Sequence, residues 1–212
     1  MATNGAATPL ATRLAEKICA FRTDAITPRA LAESRAAIID TIAGTLAGIP
    51  EPCAQILLET PGVGDAKGPA LVFGTNRRTS ALDATLVNGT SAHALDYDDV
   101  SGVMGGHHSA TLTAPIFALG EQIGIDGRRA IAAYIIGVET EVRLARAVNF
   151  HHYDKGWHPT ATLGVFGAAA AASHLLGLDV ARTARALALA ASFSSGVKAN
   201  FGTMTKPLHV GH

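Results

Sequence analysis

Charge is scarce in this chain. Only 16% of its 212 residues are Asp, Glu, Lys or Arg, and the two signs balance at 17 each. A nucleic-acid binder needs a basic surplus, so this balance argues against one, and no RNP, zinc-finger or arginine-rich pattern makes up for it. Cysteine is scarcer still. Cys19 and Cys53 stand far apart and in no CxxC pair, which argues against a disulfide scaffold or a cysteine-built zinc finger. Reduced, buried thiols in the cytoplasm, or in the mitochondrial matrix of a eukaryote, are the expectation. The opening MATNGAATPLATRLAEK has no apolar core of the signal-peptide kind and reads as a frayed tail over residues 1–8. One run, Ala161 to Leu178, lacks Asp, Glu, Lys and Arg and is long enough to imitate a membrane span. It consists mostly of Ala and Gly, which gain little from lipid, and no cationic cluster flanks it. A buried helix among close neighbours is the better reading, and no membrane partner is expected.

What is present is apolar and helical. Hydrophobic residues make up 48% of the chain, enough to bury a core and too many for disorder. Thr27-Pro28 places an N-cap before proline at the first helical position, opening a helix that runs to about Gly48. Thr79 or Ser80 caps a helix towards residues 94–95, and Ser109 caps one through Ile123. From Arg128 to Val148, apolar residues at 131, 134, 135, 138, 142 and 145 form a three-four stripe, and Glu139 and Arg143 make an i,i+4 pair. Gly124-Ile125-Asp126 and Gly177-Leu178-Asp179 share one grammar: a left-handed Gly ends one helix and Asp caps the next. Turns this short imply antiparallel neighbours. Strand signal is limited to Ala70–Phe73, inside a glycine-rich surface loop from Pro61 to Asn76. The fold expected is mostly α, one all-α domain over 1–212.

Acid is concentrated in one place. HALDYDD, residues 93–99, carries Asp96, Asp98 and Asp99 past a helix C-terminus, and a glycine-rich run then ends in His107-His108. Carboxylates there oppose the helix dipole. Each Asp alone reads as a turn cap or ion-pair partner. The cluster beside flexible backbone and two histidines points to a site. Two further polar islands, HHYDKGWHPT (151–160) and MTKPLH (204–209), interrupt apolar surroundings near helix starts. His158 and Lys206 each precede proline, and Thr160 or Thr162 is placed to cap the Ala-rich helix. His151-His152 reads as surface and His174 as a helix flank. Imidazole, amine and carboxylate together suit an anionic substrate with a proton to lose: Lys and His hold carboxylates, and an Asp or His acts as base. On that reading Asp98 and Asp99 raise the pKa of Asp96. His93, Asp96, Asp98, Asp99, His107 and His108 are also types that ligate metals, but no HExxH or EF-hand loop accompanies them. Metal-free chemistry is expected, and a metal-dependent hydrolase is the weaker reading.

The ordered set NGTSAHALDYDD (88–99), SATLTAPIFALGE (109–121), RLARAV (143–148), GWHPTATLGVFGAAAAA (156–172), LALAASFSSGVKAN (187–200) and MTKPLH (204–209) resembles the 2-methylcitrate dehydratase, or MmgE/PrpD, family. The resemblance implies a large antiparallel helical domain, a smaller α+β lid domain, a homodimer and no cofactor. It also implies action on a small polycarboxylate: dehydration of 2-methylcitrate first, with decarboxylation of cis-aconitate to itaconate and epimerisation of iminodisuccinate as alternatives. Asp96, His107, His158 and Lys206 match catalytic positions, and Asp99, His108 and Thr160 beside them are the expected substrate-binding residues. Two positions depart from the family pattern. Val100 stands where members commonly carry Thr, and His107-His108-Ser109 stands where His-Pro-Ser is common. Members are also longer, so the expectation here is the N-terminal helical portion without the lid, which a second chain would supply. A truncated, non-catalytic helical module is the other alternative.

Overall fold

A computed structural model of the chain describes residues 7–212. Among them are ten α-helices and one two-residue hairpin. The helices are α1 (Leu10–Cys19), α2 (Pro28–Gly48), α3 (Pro52–Glu59), α4 (Ala81–Ala92), α5 (His108–Ile123), α6 (Gly127–Val148), α7 (His151–Asp154), α8 (Pro159–Leu175), α9 (Val180–Phe193) and α10 (Thr205–Gly211). The strands are β1 (Ala70–Leu71) and β2 (Arg78–Thr79), paired antiparallel. Most of the tail expected at the start lies outside the described residues; α1 begins directly after Pro9.

Local chemistry sets the helix starts. The Thr27 hydroxyl accepts from Ala30 N–H, and Ser80 accepts from Asp83 N–H. Asp126 and Asp179 accept from the N–H groups of Arg129 and Arg182 at 2.8 and 2.7 Å. Each such cap contributes about 1 kcal/mol. Gly124 and Gly177 take φ of 68° and 62°, the left-handed geometry their turns require. Those turns fold α5 against α6 and α8 against α9, as the sequence implies.

Helix α8 lies at the centre, against α5, α6 and α9. It is the run that imitates a membrane span, and no described helix is long and apolar enough to cross one. Its small residues explain the closeness of its neighbours. A Cβ on Gly164 would come within 2.7 Å of Thr111 Cβ, and one on Gly167 within 2.6 Å of Glu141 Cγ. Core side chains Leu112, Ile116, Tyr134, Ala171 and Leu175 join α5, α6 and α8, while Ala15, Ile18, Ile136, Ala170 and Leu187 seat α1 and α9.

Several local expectations need correction. Ser109 does not cap α5; the helix starts two residues earlier than that cap would set, at His108 after His107. Helix α4 stops at Ala92, short of residues 94–95. Thr160 and Thr162 lie inside α8, whose N-cap is His158. The stripe on α6 marks only part of its buried surface. Ala130, Ala133, Gly137 and Glu141 are also buried, because α6 is covered by neighbours on more than one side. Ala70–Leu71 finds a partner strand across the Gly74 turn. Cys19 is exposed, not buried, and Cys53 is half-buried; both are free thiols.

Candidate active site

The end of α4 begins the site. After Ala92 the chain makes a tight turn, and Asp96 sits at φ 58°, the one described non-glycine residue with positive φ. Asp is among the few side chains that tolerate this geometry. The turn brings Asp98 back under His93, where the carboxylate accepts from His93 Nδ1–H at 2.9 Å. Both side chains are fully buried.

The next segment, Ser101–Gly106, closes on itself. Ser101 N–H donates to Gly106 O at 2.9 Å, and Gly105 N–H to Ser101 O at 2.8 Å. Gly106 lies so close to α8 that a Cβ there would meet Thr160 N at 2.9 Å. His107 therefore returns to the same carboxylate. Its Nδ1–H donates to Asp98 O at 3.0 Å and lies 3.3 Å from Asp98 Oδ2. Its backbone N–H donates to the Thr160 hydroxyl at 3.0 Å.

Asp98 is thus shared by two imidazoles. A carboxylate only accepts, so both Nδ1 atoms carry hydrogen and both Nε2 atoms face away from Asp98. They face Asp96. His107 Nε2 is 3.3 Å from Asp96 Oδ1, and His93 Nε2 is 3.8 Å from it. The same oxygen accepts from Lys206 Nζ at 2.6 Å, across 110 positions of sequence. Helix α10 delivers that amine by packing its backbone on α4: a Cβ on Gly89 would lie 2.9 Å from Gly211 Cα. His158 completes the group from the start of α8, where its backbone N–H donates to Gly196 O at 3.0 Å. Its ring stacks on His93 with centroids 5.7 Å apart and meets Phe201 edge-on at 5.0 Å. So Asp96, His107, His158 and Lys206 converge, as their matching positions imply.

Electrostatics divide the roles. Burial works to raise the Asp98 carboxyl, but hydrogen bonds and charge from His107 and His93 prevail and hold it down to about 2. Partial burial likewise works to raise Asp96, yet Lys206, His93 and His107 turn the net direction downward. That corrects the expectation that Asp98 and Asp99 raise Asp96: cations, not carboxylates, are what Asp96 meets. Burial alone would lower His107, but Asp98 and Asp96 raise it overall. Burial, then the charges of His93, Lys206, His209 and His107, push His158 down to about 3. The surroundings thus favour the protonated form of His107, while near neutral pH Asp96 is the carboxylate and His158 a neutral ring.

The other expected residues lie elsewhere. Asp99 turns to the opposite side of the loop, where its carboxylate accepts from the Ser109 hydroxyl at 2.5 Å and sits 3.2 Å from His108 Nε2. Ser109 Oγ is also 2.5 Å from the Tyr134 hydroxyl. Asp99, His108 and Tyr134 line a separate cavity of about 370 Å³ between α2 and α6. Thr160 is fully buried with its hydroxyl spent on His107 N–H, so it shapes the loop and does not face open space. His151 is exposed, whereas His152 is half-buried, with Nε2 2.7 Å from Thr162 Oγ1. His174 lies half-buried on its helix, edge-on to Phe21. Two members of the group were not among the expected catalytic or substrate-binding residues: His93, named only as a metal-ligating type, and its buried partner Asp98, named also as a neighbour raising Asp96. Their signal in the sequence was the position of His93 near a helix end with Asp98 five residues on.

Comparison with known proteins identifies relatives. Cis-aconitate decarboxylase of Homo sapiens is 31% identical over 198 residues, covering 88% of this chain and 40% of that protein. The cis-aconitate decarboxylase of Mus musculus is 34% identical over 134 residues, covering 61% of this chain and 27% of its own. A cis-aconitate decarboxylase-like protein, oryM of Aspergillus oryzae, is 28% identical over 170 residues, covering 76% and 35%. The chain therefore spans less than half the length of these relatives. The model of the MmgE/PrpD N-terminal domain matches residues 12–212, which include every residue of the converging group, and the chain belongs to the MmgE/PrpD family.

Proposed function

We propose that this protein is a lyase of small polycarboxylates that works with side chains alone, and that its reaction is decarboxylation of cis-aconitate. The observation that carries the reading is the meeting of Lys206 and His107 on Asp96, at 2.6 and 3.3 Å, with His158 alongside. Asp96 takes one of the three ammonium hydrogens of Lys206 and leaves two for a substrate carboxylate. The three named relatives carry this activity in their names, which moves the reading away from dehydration, the first expectation from the resemblance.

The chemistry fits the charges. Cis-aconitate brings about three negative charges near neutral pH, carboxylic acids ionising near pH 4. When the C–C bond to the leaving carboxylate breaks, CO₂ departs and its electron pair forms a new terminal C=C. The pair of the old double bond moves to the carbon beside a retained carboxylate. The total charge stays at three, and Lys206 and the protonated form of His107 stabilise the charge on that carbon; His107 donates its proton there, giving the itaconate dianion. His158, neutral and buried, is placed to donate or accept a hydrogen bond rather than to supply charge.

Val100 favours a second reading. It is exposed and lines the cavity of Asp99 and His108, not the Asp96 group, and it lacks the hydroxyl common at this position in the family, so a hydrogen bond open to other members is missing here. Dehydration of 2-methylcitrate would use the same acid on a leaving hydroxyl. The test is to incubate the full-length protein separately with cis-aconitate and 2-methylcitrate and follow products by NMR. Itaconate from the first is expected, with kcat/KM lowered about 10²–10³-fold in Lys206→Ala. Turnover of 2-methylcitrate alone would select dehydration, and turnover of neither would end the lyase reading.

A further inference from the structure

Four groups around Asp96 meet the description of a metal site more closely than catalysis requires. His93 Nε2 and His107 Nε2 both face Asp96 Oδ1, and one ligand atom from each of His93, Asp96, Asp98 and His107 falls within 4.8 Å of all the others. A tetrahedral zinc ion with bonds of 2.0–2.2 Å holds its ligand atoms about 3.3 Å apart. The two Nε2–Oδ1 separations are 3.3 and 3.8 Å. Behind both rings stands Asp98, accepting from His93 Nδ1–H at 2.9 Å and set 3.3 Å from His107 Nδ1. A carboxylate behind a histidine is the outer partner that fixes metal-ligating imidazoles with Nε2 facing the ion.

His93 supplies an independent observation. The residue is 1% exposed, and its Nε2 has no hydrogen-bond partner among the described protein atoms. Nδ1 is committed to Asp98, and Nε2 faces Asp96 Oδ1 at 3.8 Å, too far for a hydrogen bond. A zinc-class ion between that nitrogen and the carboxylate would give both a partner. Lys206 Nζ reaches that oxygen from one side, at 2.6 Å.

We propose that His93, Asp96 and His107 form a binding site for a divalent ion of the zinc class, and that the Lys206 ammonium is the built-in competitor that holds the ion's place. The ion is an antagonist of the resting arrangement and not a cofactor, because its entry must detach Lys206 from Asp96 and displace any proton on His107 Nε2. Loss of turnover on metal binding would rest on the lyase reading above; the binding itself does not.

The test uses Zn²⁺ alone, titrated into the full-length protein against a chromogenic chelator, with Co²⁺ absorption reporting the ligand geometry. One site per chain is expected. Affinity should fall about tenfold or more in His93→Gln and rise in Lys206→Met. Should His93→Gln fail to fold, Asp96→Asn keeps a residue that tolerates positive φ and removes the carboxylate, and the same fall is expected. Absence of Zn²⁺ binding by the unmodified protein would overturn the proposal. So would affinity unchanged in Asp96→Asn, which would assign the ion to other histidines, or affinity unchanged in Lys206→Met.

Discussion

Asp98 illustrates how one buried side chain organises several others. Its carboxylate is fully enclosed and fixes the tautomers of His93 and His107 together. Asp98→Asn keeps the shape but offers a donor on one side, so one imidazole loses its partner. A loss of about 1–3 kcal/mol is expected in urea unfolding. Since the folded carboxyl is held at about 2, below its ordinary 3.8, its contribution is present above pH 3.8 and disappears as pH falls through 3.8 towards 2. The variant should lose that limb of the acid profile. Glu141 has the opposite sign. Complete burial, with Asp99 adding to it, raises its carboxyl well above 4.5 against the hydrogen bond from Thr111. Its contribution is fully present below pH 4.5 and is lost as pH rises. Glu141→Gln should therefore unfold at higher denaturant concentration than the parent at pH 8, and at a similar concentration at pH 4.

At the scale of elements, the site depends on two close helix contacts. Helices α6 and α8 meet where Gly167 faces the buried Glu141. Gly167→Ala would force that side chain aside in a packed interior, and a destabilisation of about 1–3 kcal/mol is expected in thermal unfolding. Helices α4 and α10 touch backbone to backbone at Gly89 and Gly211. Gly89→Ala has only backbone to meet, so α10 must move, and Lys206 with it. On the proposed decarboxylase reading, the expected result is a fall in kcat/KM for cis-aconitate larger than the fall in stability explains, read by comparing kinetics with the melting temperature. Helix starts were legible in the sequence because caps are short-range: Thr27, Ser80, Asp126 and Asp179 each bond an N–H three residues on. Ser109 was not legible as an interior residue. Its hydroxyl goes to Asp99, ten positions back, and to Tyr134 on another helix.

Over the whole molecule, acid stability joins groups drawn from separate helices. His158 is held at about 3, below its ordinary 6.5, so the unfolded chain binds the proton that the folded one refuses. Stability should decline as pH falls from 6.5 towards 3, and Asp98 adds its loss lower down. His107, raised instead, contributes stability that is present below pH 6.5 and is lost as pH rises through its elevated value. His158→Gln is expected to flatten the slope between pH 6.5 and 3 in chemical unfolding. Composition, caps and the three polar islands were determined by the sequence alone, because they depend on residue type and neighbours a few positions away. The tertiary structure alone decided that His93 and Asp98 stand behind the site, that Thr160 faces inward, that Asp99 and His108 line a different cavity and that Asp96 is lowered by Lys206. Those outcomes depend on burial and on charges brought together across as many as 110 positions, and no local pattern encodes the distance between two side chains that far apart.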